Sequence, residues 1–327
     1  MDFDLSSRGA TAHVKSVAVV LSTYNGSRYV RKQLDSLLSQ RKLPDSIVIS
    51  DDCSTDETPK IVRDFIAEHQ DSPVSFEFSV NDKNIGWKAN FRRLISHCEA
   101  TYIFPCDQDD IWNPNKIESM VEVMESNPDF DLLACSVEPF YEEGSRKSDA
   151  GSVEAALGAD RLERDQLRPD FMYVRHPGCS YCVRGAFVKR VLPYWESTYP
   201  HDAVLWRYAV LEDGAAVLNQ RLVRFRRHDG NASDRKKQTK ADRLADVDYY
   251  IDFVEHAKRF VEADERCGSE SLSLLLSCEE WLDARKRLLE AGSIGAAVAC
   301  LRNRRFYKTT RGPLLDIAFA WLEGLSV

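Results

Sequence analysis

The chain has 327 residues, 43% of them apolar, enough for a large buried core and more than one typical domain, so a main domain with an appended one is expected. Its 52 acidic residues against 44 basic ones give a formal net charge of −8, which excludes wrapping of nucleic acid by an overall basic field. No nucleic-acid partner is expected.

In chain order, the opening "MDFDLSSRGATAHVKS" lacks the basic start and apolar run of a secretory signal, so a cytoplasmic location is expected. Nine cysteines, an odd number without such a signal, read as free thiols. The β-branched run Lys15 to Thr23 predicts a strand covered on both faces. Asn25-Gly26 supplies a turn, and Tyr29, Val30, Gln33, Leu34, Leu37 and Leu38 recur at helical spacing up to Gln40. A second strand, "SIVISDD", ends on Asp51 and Asp52; Ser54 and Glu57 have capping-box spacing for a helix through Ile61, Val62, Phe65 and Ile66. "VSFEFSV" predicts the third strand, the polar "NDKNIGWKAN" a loop, and "FRRLISHCEA" a helix. "TYIFPC" is the fourth strand, and "NKIESMVEVMESNP" a helix up to Asn127-Pro128. Four strands each followed by a helix argue for an α/β fold with a parallel sheet and helices on both faces.

After a fifth strand in "FDLLACSVEPFY", the polar stretch from Glu142 to about Pro169 reads as a mobile excursion. "HDAVLWRYAVLEDG" reads as a helix stopped by Gly214, and "AAVLNQRLVRFRRH" as two short strands. From Asp234 onward, "RLADVDYYIDFVEHAKRFV" and "SLSLLLSCEEWLDARKRLL" predict long amphipathic helices. The final "PLLDIAFAWLEGLSV" is interrupted by Asp316 and Glu323 and falls short of a spanning helix. Its Leu314, Leu315, Ile317, Ala318, Phe319, Trp321 and Leu322 read as core packing, with a membrane-surface helix or a dimer contact as the alternatives.

In open parallel sheets, ligands collect outside the carboxyl ends of the strands, where loops converge and helix N-termini carry partial positive charge. The polar loops fall there: Ser22-Thr23-Tyr24-Asn25, Asp51-Asp52, Asn84 to Asn90, and Asp107-Gln108-Asp109-Asp110. Two readings of the last cluster stand side by side. In one, Asp110 or Asn113 caps the helix that begins near Pro114. In the other, Asp107 and Asp109 are hard oxygen ligands for a divalent cation, which offsets their repulsion and leaves positions for phosphate oxygens. The company of three other polar loops favours the cation.

"VAVVLSTYNGSRYVRKQLDSLLSQ", "PDSIVISDDCSTDETPKIV", "NIGWKANFRRL" and "YIFPCDQDDIWNPNKI", in that order and spacing, resemble the nucleotide-sugar-binding half of family 2 inverting glycosyltransferases. "HPGCSYCVRGAFVKRVLP", "HDAVLWRYAVLEDG" and "LVRFRRHDGNAS" resemble the acceptor half of the bacterial rhamnosyltransferase-like branch, so the resemblance covers Ser16 to Ser233. It implies an A-type glycosyltransferase fold: a mostly parallel Rossmann-like sheet with helices on both faces, plus a C-terminal helical subdomain. The implied organisation is a tail (1–15), a nucleotide-sugar-binding domain (16–138), an acceptor-binding part (139–233) and a helical subdomain (234–327). The implied activity is metal-dependent, inverting transfer of a sugar from a nucleoside diphosphate sugar to an acceptor hydroxyl in cell-surface polysaccharide assembly, with Mn²⁺ or Mg²⁺ as cofactor. A lipid-linked acceptor, and with it peripheral contact at the inner membrane face, follows from the same branch.

Residue by residue, the resemblance places Thr23 and Tyr24, with Asn25, near the nucleotide base or ribose, Asp52 with Asp51 on the base, and Asn84 and Lys88 in the same pocket. Asp107, Gln108 and Asp109 match the metal motif, with Asp109 the direct ligand; this chain reads Asp-Gln-Asp-Asp where many relatives read Asp-Ala-Asp or Asp-Asp-Asp. Asp202 matches the catalytic base that takes the acceptor proton, against the alternative of a carboxylate settled on a helix dipole. His201 is a second candidate base or an orienting group. Among Arg224, Arg226, Arg227 and His228, the resemblance points to Arg227 and His228 neutralising the leaving diphosphate, or to His228 completing the shell of the cation, which suits Mn²⁺ better than Mg²⁺. The alternative is a solvated strand face.

Cys179 and Cys182 read as core thiols, since a lone pair three apart on a strand faces opposite ways. Asn231-Ala232-Ser233 fits a glycosylation acceptor with no signal to deliver it. Phosphate-cradling glycine loops are absent, and "STYNGSRYV" is a poor substitute for the loop a nucleotidyltransferase would need. The remaining alternative, an inactive nucleotide-sugar-binding scaffold, sits badly with intact Asp109 and Asp202.

Overall fold

The structure, a computed structural model, describes residues 16–141, 161–228 and 239–322. Strands β1 (Val17–Thr23), β2 (Ser46–Asp51), β3 (Ser75–Val80) and β4 (Tyr102–Asp107) alternate with helices α1 (Val30–Leu38), α2 (Thr58–Glu68) and α3 (Trp87–Ser96). Then come β5 (Ile111–Trp112), α4 (Lys116–Ser126), β6 (Leu132–Tyr141), β7 (Leu162–Arg164), β8 (Tyr181–Arg184), α5 (Gly185–Val191), α6 (His201–Leu211) and β9 (Ala215–Arg227). Helices α7 (Lys240–Ala263), α8 (Ser269–Ala291), α9 (Ile294–Arg302) and α10 (Gly312–Trp321) close the chain.

All nine strands join one sheet in the order β3-β2-β1-β4-β8-β6-β9-β5, with β7 beside β9. The first four pair in parallel, and their registers put Thr23 opposite Asp51, Asp51 opposite Val80, and Ser22 opposite Asp107. The four polar loops therefore leave one rim. Chain order reverses between β1 and β4, the position at which open sheets of this kind form a crevice. Strand β8 runs antiparallel to both β4 and β6, so its start lies at the same rim, and β9, parallel to β6, ends there too. Three later segments of chain thus return to the loops of the first half.

Both faces of the sheet are covered, which is why its strands read as continuous apolar runs rather than alternating ones. Val19, Leu21, Ile47, Ile49 and Phe104 pack under α1, α2 and α4, while Val20, Ile103, Leu132 and Val183 face α3, α5 and α6. The second core continues into the C-terminal helices through Tyr208, Phe253, Phe260, Trp281 and Leu288. Each such side chain contributes about 1.5–3 kcal/mol relative to exposure, so the helices are held to the sheet by packing. They are also held by charge. Asp316 on α10 is fully buried, accepts from Arg285 on α8 (2.8 Å), Arg243 on α7 (2.6 Å) and the Tyr307 hydroxyl (2.7 Å), and keeps its carboxyl below the usual range despite burial because Arg285 and Arg243 face it.

Several expectations are corrected. No capping box opens α2: the helix starts at Thr58, and Ser54 instead donates to Asp51. Helix α3 starts at Trp87, inside the expected loop. Neither Asp110 nor Asn113 caps α4, whose N-cap is Asn115; the Asn113 side chain donates to the Arg221 carbonyl instead. The two short strands after α6 are one 13-residue strand, β9, whose register with β6 slips near Cys135 and Ser136, the irregularity that made it look divided. Asp213, not Gly214, takes the left-handed conformation (φ 56°) after α6, with the Gly214 and Asp213 amides donating back to Ala209 and Val210. Residues 142–160 of the expected excursion and the Asn231 motif lie outside the described residues, but β7, within that excursion, pairs with β9. In the last helix Asp316 and Phe319 are core, whereas Leu314, Trp321 and Leu322 are exposed. All nine cysteines are free thiols, and no helix among the described residues is long and apolar enough to cross a membrane.

Candidate functional site

The first and second rim loops are laced together by short side chains. Thr23 donates to Asp51 (2.8 Å), which also accepts from the Ser54 amide (2.8 Å) and hydroxyl (2.6 Å). Asn25, at φ 47°, receives Thr55 on its side-chain oxygen and donates its own amide to Ser54 (2.8 Å). Asp52 organises the third loop by accepting from Asn81 (2.8 Å), Ile85 N–H (2.9 Å) and Gly86 N–H (2.8 Å). Asp51 and Asp52 are both fully enclosed, whereas Tyr24, Asn25 and Asn84 are exposed and Lys88 is half-buried. The oxygens of both carboxylates set the shape of the loops that the sequence places around the base.

Gln108 crosses the crevice between β1 and β4, and its amide engages both the N–H and the C=O of Tyr24, each at 2.9 Å. Gly26 leaves room for it: a Cβ there would lie 2.1 Å from the Gln108 Oε1 and would push the amide off Tyr24. The unusual Gln in Asp-Gln-Asp-Asp is thus a strut between the first and fourth loops.

Around that strut the acidic residues converge. Ligand-capable atoms of Asp107, Asp110 and Cys179 all lie within 4.8 Å of one another. Asp110 is buried; its Oδ1 accepts from the Arg226 amide (2.9 Å), while its Oδ2 has no hydrogen-bond partner among the described residues. Burial, reinforced by the charge of Asp109, pushes the Asp110 carboxyl up to about 7. Asp107 is driven well above the usual carboxylate range by burial first, then by the charges of Asp110, Asp109 and Asp202. Asp109 turns the other way and meets His228 Nε2 at 2.9 Å, with the imidazole stacked on Tyr29. Arg226 holds this turn in shape: its Nε donates to the Asp109 carbonyl (2.6 Å), and its guanidinium lies over Tyr29 and Phe140. A buried cluster of oxygen donors with an orphaned oxygen and too little positive charge fits a divalent cation.

Two of these residues escaped sequence reasoning. Cys179 is a core thiol, as the sequence reads it, but the turn Gly178–Ser180 that precedes β8 also brings it to the aspartates, and the buried Lys116 ammonium donates to its carbonyl at 2.6 Å. Arg226 was passed over for Arg227. Only the antiparallel entry of β8 and the shifted register of β9 reveal either, and no local motif carries that information.

Asp202 sits in the first turn of α6, its Oδ1 accepting from the Ala203 amide at 2.7 Å, and its charge is felt by Asp107 across the crevice. His201 points elsewhere. Its ring is buried, stacks on Phe91 at 4.0 Å, meets Trp87 edge-on, and is held neutral, its pKa lowered to about 4 by burial. Asp202, unlike His201, is only half-buried. A cavity of about 620 Å³ lies toward the opposite end of the strands, lined by Ser16, Ser46, Glu77, Arg93 and His97. It has no contact with the acidic rim and is not the site.

The sequence profile described as "Glycosyl transferase family 2" matches residues 18–191. An uncharacterized protein of Mycobacterium tuberculosis, Rv1520, is 32% identical over 171 residues, 49% of this chain and 47% of its own length. The dTDP-rhamnosyl transferase RfbG of Shigella flexneri is 30% identical over 167 residues, 50% of this chain and 53% of its own. The chain thus spans about half the length of the curated relatives it matches. Among solved structures, S. aureus TarS 1-349 in complex with UDP-GlcNAc aligns over 89% of each chain with TM-score 0.56 at 14% identity. Mannosyltransferase PcManGT from Pyrobaculum calidifontis, in complex with GDP-Man and Mn²⁺, aligns over 94% of this chain and 88% of its own with TM-score 0.51 at 16% identity. At those identities the likeness is one of fold, a sheet of mostly parallel strands flanked by helices.

Proposed function

The chain belongs to glycosyl transferase family 2, and from that premise we propose that it transfers a sugar from a nucleoside diphosphate sugar to an acceptor hydroxyl with inversion at the anomeric carbon. The observation that carries this reading is the meeting of Asp107, Asp110 and Cys179 at the crevice between β1 and β4, with Asp202 across from them. The donor's diphosphate would sit against the acidic cluster and its nucleoside along Tyr24, Asn84 and Lys88, with Asn25 and Asp52 shaping that surface. Asp107 and Asp110, with Asp109 and Cys179 at hand, would hold the cation, of which Mn²⁺ is the favoured example. A cation bound there would draw charge off the departing diphosphate.

The rest is the work of the chain's own groups. Asp202 takes the proton of the acceptor hydroxyl as its oxygen forms the new bond to the anomeric carbon, while the bond from that carbon to the diphosphate oxygen breaks on the opposite face. Arg226, donating to the Asp109 carbonyl, and His228, against the Asp109 carboxylate, hold that turn in shape, so the leaving group would meet an ordered set of carboxylates. The dTDP-rhamnosyl transferase among the relatives supports a deoxyhexose donor, and the resemblance to the rhamnosyltransferase-like branch favours a lipid-linked, cell-surface polysaccharide acceptor. Calorimetric titration of a panel of nucleotide sugars with and without Mn²⁺ tests this. Cation-dependent binding of one dTDP-, UDP- or GDP-sugar is expected; binding of none, in either condition, overturns it.

A further inference from the structure

Of all the large apolar side chains exposed among the described residues, the four most exposed lie in one short stretch: Ile294 (74%), Leu314 (59%), Leu322 (58%) and Trp321 (51%). Ile294, Val298 and Leu301 recur at i, i+4 and i+7 and so share one face of α9, and Leu314 and Trp321, seven apart, share one face of α10. The Trp321 indole donates to the Gly292 carbonyl at 2.9 Å, which brings the end of α10 to the start of α9 and makes the two helices a hairpin. At the turn of this hairpin the sequence Arg302 to Arg311 carries Arg302, Arg304, Arg305, Lys308 and Arg311, all exposed, and no acidic residue. No ion pair among the described residues engages any of the five.

We propose that the α9–α10 hairpin docks on a lipid surface bearing anionic headgroups. The charge argues for lipid over a second copy of this chain: a protein of net charge −8 concentrates five cations, none in an ion pair among the described residues, beside its most exposed apolar residues. Interfacial helices take that form, with apolar side chains entering the headgroup boundary, basic ones facing anionic lipid, and tryptophan at the level between. Asp316, buried inward with Arg243 and Arg285, fixes α10 to the body, so docking orients the whole protein. The surface uses no residue of the acidic crevice and stands independently of the proposed reaction.

Sedimentation of the full chain with phosphatidylcholine vesicles, and with vesicles in which about one lipid in three is phosphatidylglycerol, tests the proposal. Binding to the anionic vesicles alone is expected, weakening as salt shortens the electrostatic range from about 10 Å at 0.1 M to about 3 Å at 1 M. Arg304→Gln with Arg305→Gln should weaken it about thirty-fold. Ile294→Gln with Leu314→Gln, at positions too exposed to disturb folding, should weaken it at every salt concentration. Equal binding to both vesicles, no binding to either, or variants that bind as the parent does would overturn the proposal. So would a dimer in sedimentation equilibrium that the Ile294 and Leu314 changes dissociate while vesicles are ignored. Nucleotide-sugar titrations on the same variants should be unchanged, which separates failure here from failure of the glycosyltransferase reading.

Discussion

The Gln108 side chain engages both backbone polar groups of Tyr24, accepting from its N–H and donating to its C=O at 2.9 Å each, across the point where strand order reverses. The first loop is therefore positioned by the fourth, and the proposed nucleoside surface at Tyr24 is coupled to the acidic cluster through one amide. Gln108→Ala removes two hydrogen bonds of about 0.5–1.5 kcal/mol each, and donor affinity should fall about tenfold with little change in melting temperature. Gln108→Glu keeps the acceptor, loses the donor and adds a negative charge, and should do worse. Isothermal titration with the cognate nucleotide sugar checks both.

Asp202→Asn should leave donor binding intact and lower transfer by about 10²–10⁴, the usual contribution of a positioned base. The side chain keeps an oxygen for the Ala203 amide, so α6 should start unchanged. Transfer assayed beside donor affinity separates the roles; near-normal transfer would remove Asp202 from the chemistry.

Asp110 holds its proton more tightly folded than unfolded, its pKa raised to about 7 by burial and by Asp109. Its stabilising contribution is complete below the unfolded value of about 4 and is lost as pH rises through about 7. His201, kept neutral with its pKa lowered to about 4, contributes in the opposite sense: its share is complete above its unfolded value of about 6.5 and is lost as pH falls toward about 4. Without divalent cation the melting temperature should therefore pass through a maximum in mildly acidic solution and fall above it. Mn²⁺ should reverse that fall, since it competes with protons for the same oxygens, and Asp110→Asn should lessen both the fall and the rescue, Asp107 carrying the rest. Scanning calorimetry across the pH range, with and without Mn²⁺, reads all three.

Asp316→Ala leaves the buried guanidiniums of Arg243 and Arg285 without their carboxylate and the Tyr307 hydroxyl without its acceptor. Removing one partner of such a pair costs about 3–5 kcal/mol, so urea unfolding should shift to markedly lower midpoint. A loss below about 1 kcal/mol would mean that the cluster is not what ties α7, α8 and α10 together.

Much of this was legible in the sequence because it was local. The β-branched runs, the helical spacing after Asn25-Gly26 and the four polar loops each follow from short-range chemistry, and β1 to β4 appear where periodicity puts them. What stayed hidden depends on partners far along the chain. Nothing near Cys179 announces that β8 runs backwards beside β4, and nothing near Arg226 says that its amide will meet Asp110, 116 residues earlier. Asp51 and Asp52 were visible as polar rim residues, but burial alone decides that Thr23, Ser54, Asn81 and the Gly86 amide take up their oxygens.

The short pairing of β4 with β8 leaves the rim end of β4 to a turn of chain rather than to a strand. Six residues of β4 are in register with β1, but only Tyr102 and Ile103 are in register with β8, so the seam unzips toward the rim from Phe104 to Asp107. Above the seam the Gly178–Ser180 turn packs against β4 instead of pairing with it. That change from a hydrogen-bonded ladder to side-chain packing is what lets Cys179 come within 4.8 Å of Asp107 and Asp110.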